Sequence, residues 1–303
     1  MQGDGVKELI ALAKQLGCEY EEQAVMKKHT TFKIGGPAAL LLYPETEVQI
    51  AAFLRCAKTQ GIRLLTIGNG SNLLVSDQGI DAAVMVLDKH FSRVTVQGNR
   101  IFAQAGASLM KVCRTALEHG LTGLEFAYGI PGSCGGAAFM NAGAYGGEMK
   151  DVLVRCTHID PNGQVGQLAG DELSLTYRHS AYYDNGCVIT GLELCLQPGD
   201  PVEIKAKMEE LLARRREKQP VEFPSAGSTF KRPPGQFAGA LIDRCGLRGT
   251  AVGGAQVSEK HAGFVINTGG ATCRDVLALC EKCRAEVLAK TGVELEMEIR
   301  VTE

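Results

Sequence analysis

PGSCGGAAFMNAGAYGGE, residues 131–148, places ten glycines and alanines in eighteen positions. A backbone this poor in side chains can lie directly against a flat or phosphate-bearing ligand, with its amide N–H groups as the binding surface. The same composition also serves a tightly packed turn where two backbones cross. A second glycine-rich turn, Gly68-Asn69-Gly70-Ser71-Asn72, lies between two apolar runs about sixty residues upstream and favours the ligand reading.

That upstream turn differs from the dinucleotide fingerprint of doubly wound folds. It follows an apolar run that reads as a strand, but Leu73 stands where the third glycine belongs. LLVS then continues as an extended stretch, so no helix follows. The N–H groups of the turn, with Ser71 and Asn72, can hold a pyrophosphate without a helix dipole. A tight hairpin is the plainer alternative, because Asn-Gly is a common hairpin signal.

The rest of the chain frames this choice. A length of 303 residues suits about two domains, and 45% hydrophobic with 22% charged residues is ordinary globular composition. A formal net charge of −2 argues against binding nucleic acid or a membrane surface through bulk electrostatics. No apolar run reaches the ~20 residues a bilayer span requires. MQGDGVKELIALAKQLG shows no basic-then-apolar leader, so a cytoplasmic protein is expected. Eleven scattered cysteines make a poor disulfide framework. Cys280 and Cys283 fall on a helical stripe with Val276, Leu279 and Val287, so core thiols are expected there rather than a redox or zinc pair.

Helical periodicity predicts helices over 5–16, from Thr46 (a capping box) to Gly61, from Ser108 to Gly120, over 202–218, over 237–245 and from Thr272 to Thr291. Strands are expected over 63–67, 73–76, 82–87, 93–105, 152–159 and 188–196. A short helix and loop are expected over 171–186. Pro198-Gly-Asp-Pro201 is the clearest break and marks a domain boundary, giving units 1–198 and 199–303. Arg214-Arg215-Arg216 either holds a phosphate or sits solvated at a helix C-terminus. GGAQVSEKHAGFVINTGG reads as strand, turn and strand. The closing VELEMEIRV alternates strictly, with Val293, Leu295, Met297, Ile299 and Val301 inward and Glu294, Glu296, Glu298 and Arg300 outward. The fold class is α+β in two parts, the second smaller.

Several long motifs now stand in fixed order: TTFKIGGPA (30–38), GNGSNLLVSDQG (68–79), the 125–148 stretch, TYRHSAY (176–182), PSAGSTFKRPPG (224–235), LIDRCGLRG, GGAQVSEKHAGFVIN and ELEMEIRV. Together they resemble the UDP-N-acetylenolpyruvoylglucosamine reductase family over nearly the whole chain, in its shorter variety without an extra substrate-covering loop. The resemblance implies a flavin-binding domain of the vanillyl-alcohol oxidase-like (PCMH-type) superfamily plus a smaller α+β substrate domain. It implies FAD as cofactor, with NADPH and UDP-N-acetylenolpyruvoylglucosamine as substrates and UDP-N-acetylmuramate, a peptidoglycan precursor, as product. A monomer without nucleic-acid or membrane partners or a metal is the expectation.

Position by position, the resemblance puts the pyrophosphate on Gly68, Asn69, Gly70, Ser71 and Asn72. Other flavin contacts fall on Ile130, Pro131, Gly132, Ser133, Gly135, Gly136, Asn141, Gly143, Ala144 and Tyr145. In the family, hydride passes from NADPH to flavin and from reduced flavin N5 to C3 of the enolpyruvyl group, and C2 is then protonated. Arg178 corresponds to the arginine near the substrate carboxylate, a planar partner its guanidinium suits. Ser228 matches the proton donor to C2, and Glu298 the carboxyl group near the developing enolate. Residue by residue the sequence leaves plainer readings open: a surface arginine, a turn-capping serine, and an acid no different from Glu294 or Glu296. Lys231 could assist Ser228 if its loop folds back. Tyr128, Tyr145, Lys231 and the Gln256–His261 turn are candidates for holding UDP. His261 is expected to be structural or to contact substrate. Arg232 stands where the longer members have asparagine.

Overall fold

In a computed structural model, which describes residues 2–303, two units each enclose a hydrophobic core. The larger comprises the segment ending at Glu22 with Ala39–Asn69 and Ala82–Ala213. The smaller comprises Gln23–Ala38, Gly70–Asp81 and Arg214–Glu303.

The larger unit is built around a five-stranded antiparallel sheet, ordered Val165–Ala169, Leu153–Ile159, Val188–Cys195, Arg100–Gln104, Val94–Gln97. Its register aligns buried residues in rows: Cys156, Leu192 and Ala103 in one, Leu153, Leu194 and Ile101 in the next. Because side chains alternate across a strand, Glu193 falls on the opposite face, where it pairs with Arg100 and Arg155. The strands Glu19–Val25, Pro37–Tyr43, Ile80–Val86 and Leu64–Ile67 form a second sheet in that order, the last two parallel. The helix Glu47–Gln60 starts at the Thr46 capping box and stops at Gly61, whose φ is +65°. It buries Ile50 and Phe53 with Leu40, Leu42, Ala83 and Met85.

In the smaller unit, Ala251–Val252, Ala255–Val257 and Val265–Asn267 form an antiparallel sheet, and the helix Cys273–Thr291 packs on it. Thr272 caps that helix by accepting from Asp275 N–H at 3.0 Å. Cys280 and Cys283 are buried on its core face with Val276 and Leu279, as the stripe predicts. A parallel pair, Leu73–Val75 with Arg300–Thr302, completes the unit.

Several elements depart from the sequence expectation. Residues 93–105 form two strands rather than one, because Gly98 (φ +59°) turns the chain between Val94–Gln97 and Arg100–Gln104. The strands Glu19–Val25 and Val165–Ala169 carry too little apolar pattern to be legible, and only Ala24 of their residues is buried. The closing segment keeps Leu295 and Ile299 buried but is a strand only over Arg300–Thr302. Its alternation slips after Ile299, leaving Val301 exposed and Thr302 buried. The expected break at 198–201 and the observed division do not coincide. Pro201 starts the helix Pro201–Lys218, whose Ile204 and Met208 join the larger unit's core, and the division falls within that helix.

Candidate active site

In the larger unit the two glycine-rich segments meet. Asn69 Nδ2 donates to the Pro131 carbonyl at 3.0 Å. Gly68 lies so close to Ser133 that a Cβ on it would sit 2.0 Å from the Ser133 hydroxyl and 2.9 Å from its Cβ. Ser133 in turn caps the short helix Cys134–Phe139 by accepting from Gly136 N–H. Gly135 N–H donates to the Ala105 carbonyl at 2.8 Å, where a Cβ would strike Ala105. Close packing against Ser133 and Ala105 is therefore enough to demand glycine at 68 and 135. Gly136 is different: it is exposed, and a Cβ there would meet only the Ser133 hydroxyl, at 3.4 Å. Past the helix, Gly143–Ala144 and Gly147–Glu148 pair across Tyr145 and Gly146, both at positive φ, which makes a two-residue hairpin turn. The surface presented by Asn69, Pro131, Gly132 and Gly136 is side-chain-poor and carries no carboxylate, which fits a flat, diphosphate-bearing cofactor such as FAD.

Arg178 lies in the same unit, on a tight turn closed by Thr176 N–H to His179 O (3.1 Å) and His179 N–H to Thr176 O (3.2 Å). Its φ of +56° is unusual for a side-chain-bearing residue. The guanidinium carbon lies 5.3 Å from the centroid of the neighbouring Tyr177 ring. Asn141, expected among the flavin contacts, is 1% exposed, and its amide donates to Glu148 and the Thr176 carbonyl and accepts from Lys150 N–H.

In the smaller unit, residues 70 apart in sequence converge. The half-buried Ser228 precedes Thr229, whose N–H donates to Gly263 O and whose hydroxyl accepts from Val265 N–H, both at 2.9 Å. Glu298 N–H donates to the Thr229 carbonyl at 2.8 Å, and Phe230 bridges Met297. The serine loop thus runs between the Val265–Asn267 strand and the closing segment, hydrogen-bonded to both, so Ser228 and Glu298 lie near each other on adjoining backbones. Asn72 ties in the upstream turn: its Nδ2 donates to Glu298 O at 3.1 Å, and its carbonyl accepts from Arg300 N–H. Gly70, at φ +59°, approaches His29 O so closely that a Cβ would lie 2.2 Å away.

Among the secondary candidates, Lys231 folds onto Glu296 and forms an ion pair with it. Arg232 stacks over the Phe237 ring at 4.7 Å. His261 Nδ1 accepts from Gly263 N–H, and burial lowers the ring's pKa, which favours a neutral structural imidazole. Arg215 and Arg216 occupy the last turn of their helix. No group of three or more metal-ligating side chains occurs among the described residues. Sequence reading missed Thr229 and Ser180, two small polar residues almost fully buried that anchor the serine loop and the Arg178 turn. The available signal was a Ser or Thr within two residues of Arg178 and of Ser228.

Residues 38–169 match the profile of an FAD binding domain, and residues 219–302 that of the UDP-N-acetylenolpyruvoylglucosamine reductase C-terminal domain. The UDP-N-acetylenolpyruvoylglucosamine reductase of Caldanaerobacter subterraneus subsp. tengcongensis is 49% identical over 91% of this chain and 91% of its own length. This chain belongs to the UDP-N-acetylenolpyruvoylglucosamine reductase family. The crystal structure of the Thermus caldophilus reductase has a TM-score of 0.81 and 35% identity, covering 94% of this chain and 99% of that one. A glucooligosaccharide oxidase from Acremonium strictum, 12% identical, has a TM-score of 0.50 over 95% of this chain and 60% of its own, a likeness of fold alone. As a family member the chain is an FAD-dependent oxidoreductase with a PCMH-type flavin-binding fold, not a Rossmann one. The third glycine absent at Leu73 accords with this, since Leu73–Val75 is a strand. No helix among the described residues is long and apolar enough to cross a membrane.

Proposed function

We propose that this chain reduces UDP-N-acetylenolpyruvoylglucosamine to UDP-N-acetylmuramate with NADPH, in the supply of peptidoglycan precursors. In this reading it works in the cytoplasm as a monomer. The observation that carries the proposal is the pairing of the serine loop with the closing segment, which brings Ser228 and Glu298 together in a relative of known reductases.

The pyrophosphate of FAD is assigned to Gly68–Asn72. The rest of the cofactor is assigned to Ile130–Ser133, Gly135, Gly136 and Gly143–Tyr145. Bound there, FAD supplies hydride transfer, accepting from NADPH and delivering to C3 of the enolpyruvyl group. Arg178 binds the substrate carboxylate in a bidentate pair. That interaction strengthens as charge spreads from C2 onto the carboxylate, so it favours the transition state over the ground state. Ser228 gives its hydroxyl proton to C2. Glu298, as the carboxylic acid, donates a hydrogen bond to the enolate oxygen as that charge appears and fades.

An anaerobic half-reaction tests the proposal. The flavin is bleached with NADPH, UDP-N-acetylenolpyruvoylglucosamine is added, and return of the visible flavin absorbance is followed. Recovery on mixing is expected, and a flavin that stays bleached rejects the reading. Ser228→Ala should keep the first half-reaction and slow recovery about 10²-fold or more, the scale on which general acid catalysis contributes. Equal losses in both halves would make Ser228 a structural residue.

A further inference from the structure

We propose that Asn141 is the positioning residue for Arg178, coupling the glycine-rich segment to the group that binds the substrate carboxylate; this rests on the reading of Arg178 given above. Asn141 is 1% exposed and sits at φ +43°, a conformation that costs free energy in any residue with a Cβ. Strain of this kind persists where surrounding bonds fix the conformation, and here they are complete. One Nδ2 proton goes to Glu148 Oε2 at 2.7 Å and the other to the Thr176 carbonyl at 3.0 Å, while Oδ1 accepts from Lys150 N–H at 2.9 Å. The amide orientation is therefore unambiguous, because reversing it would set an oxygen against two oxygens.

Thr176 is the first residue of the four-residue turn that presents Arg178, and its carbonyl also accepts the turn-closing His179 N–H. The far side of the turn is tied to the same stretch of chain. The hydroxyl of Ser180, 0% exposed, donates to the Phe139 carbonyl at 2.7 Å, and the Phe139 and Tyr183 rings stack at 4.2 Å. Residues 139–141, immediately after the helix Cys134–Phe139, thus grip the Arg178 turn from both ends. Both amide donors and one lone pair of Oδ1 are committed inside the protein and the residue is 1% exposed, so the Asn141 side chain is not presented to the cofactor. Its work is to hold a strained arginine turn in place.

Asn141→Asp keeps the shape but removes both donors and sets a carboxylate beside Glu148. Measured on the FAD-loaded enzyme, it should hold flavin and its reduction by NADPH within about twofold of the parent. Reoxidation by UDP-N-acetylenolpyruvoylglucosamine should slow about 10- to 100-fold, the penalty of an approximately 1 Å misplacement of a binding group. The decisive readout is the cycle with Arg178→Ala. In that background Asn141→Asp should slow reoxidation less than twofold further. A full multiplicative loss, or equal slowing of both half-reactions, overturns the positioning role. If Arg178→Ala alone leaves reoxidation unchanged, it is the reading of Arg178 that fails, and this proposal falls with it. Should Asn141→Asp not accumulate as folded flavoprotein, Ser180→Ala loosens the same turn from its other end and carries the identical cycle.

Discussion

Gly70 and Gly61 have nearly the same backbone conformation, φ +59° and +65°, in very different surroundings. Replacing either by alanine imposes the left-handed penalty of about 1–2 kcal/mol. At Gly61 that is the whole cost, since a Cβ there meets nothing within 4 Å. At Gly70 the same Cβ lies 2.2 Å from His29 O and 3.0 Å from Thr30 Cα. A carbon–oxygen contact ordinarily rests at about 3.3 Å, so backbone must move by about 1 Å. Both obstacles are main-chain atoms, and no rotamer change relieves them. Overpacking of this kind adds about 1–3 kcal/mol, giving about 2–5 kcal/mol for Gly70→Ala. Urea unfolding of the two apoproteins measures the difference without the stabilisation that bound FAD would add. FAD titration should then show weaker binding for Gly70→Ala and parental binding for Gly61→Ala. Equal destabilisation by the two substitutions would refute the argument that contact with the 29–30 backbone, not φ alone, demands glycine at 70.

Two further outcomes follow from buried titratable groups. Burial lowers the pKa of His158 and of His261 below the ordinary imidazole value of about 6.5; Asp160 opposes the shift at His158 only in part. The unfolded chain then binds protons that the folded chain refuses, so stability is full above about pH 6.5 and declines as pH falls below it. Urea midpoints at pH 7.5 and 5.5 should show that decline, and His158→Gln with His261→Gln should shrink it; an unchanged slope in the double variant would contradict the assignment. Burial raises the Cys280 thiol to about 12 and the Cys283 thiol to about 11, so neither forms thiolate near neutrality. Peptide mapping after iodoacetamide at pH 8 should find both unlabelled until denaturant is added, and rapid native labelling would argue against core thiols.

Local physics made much of the fold legible. The caps at Thr46, Ser108 and Thr272 lie where Ser or Thr precedes an apolar period, because an N-cap bond spans only three residues. Long strands such as Leu153–Ile159 announced themselves by apolar runs. Glu19–Val25 did not, since a strand with one buried residue has no pattern to show. The motifs carried the family and thereby the expectation of which residues form the site, yet they said nothing of how those residues are held.

The amino-acid order alone determined the α+β class, because caps and periodicity are local properties, and its ordered motifs carried the resemblance to the flavoprotein family. Only the tertiary structure decided that Glu298 differs from Glu294 and Glu296: its N–H is the one bound to the Thr229 carbonyl beside Ser228. It also decided that the Asn141 side chain grips the Thr176 turn, and that Gly135 yields to Ala105. Such contacts join residues tens of positions apart, and a hydrogen bond or steric overlap across that distance leaves no periodic mark in the chain.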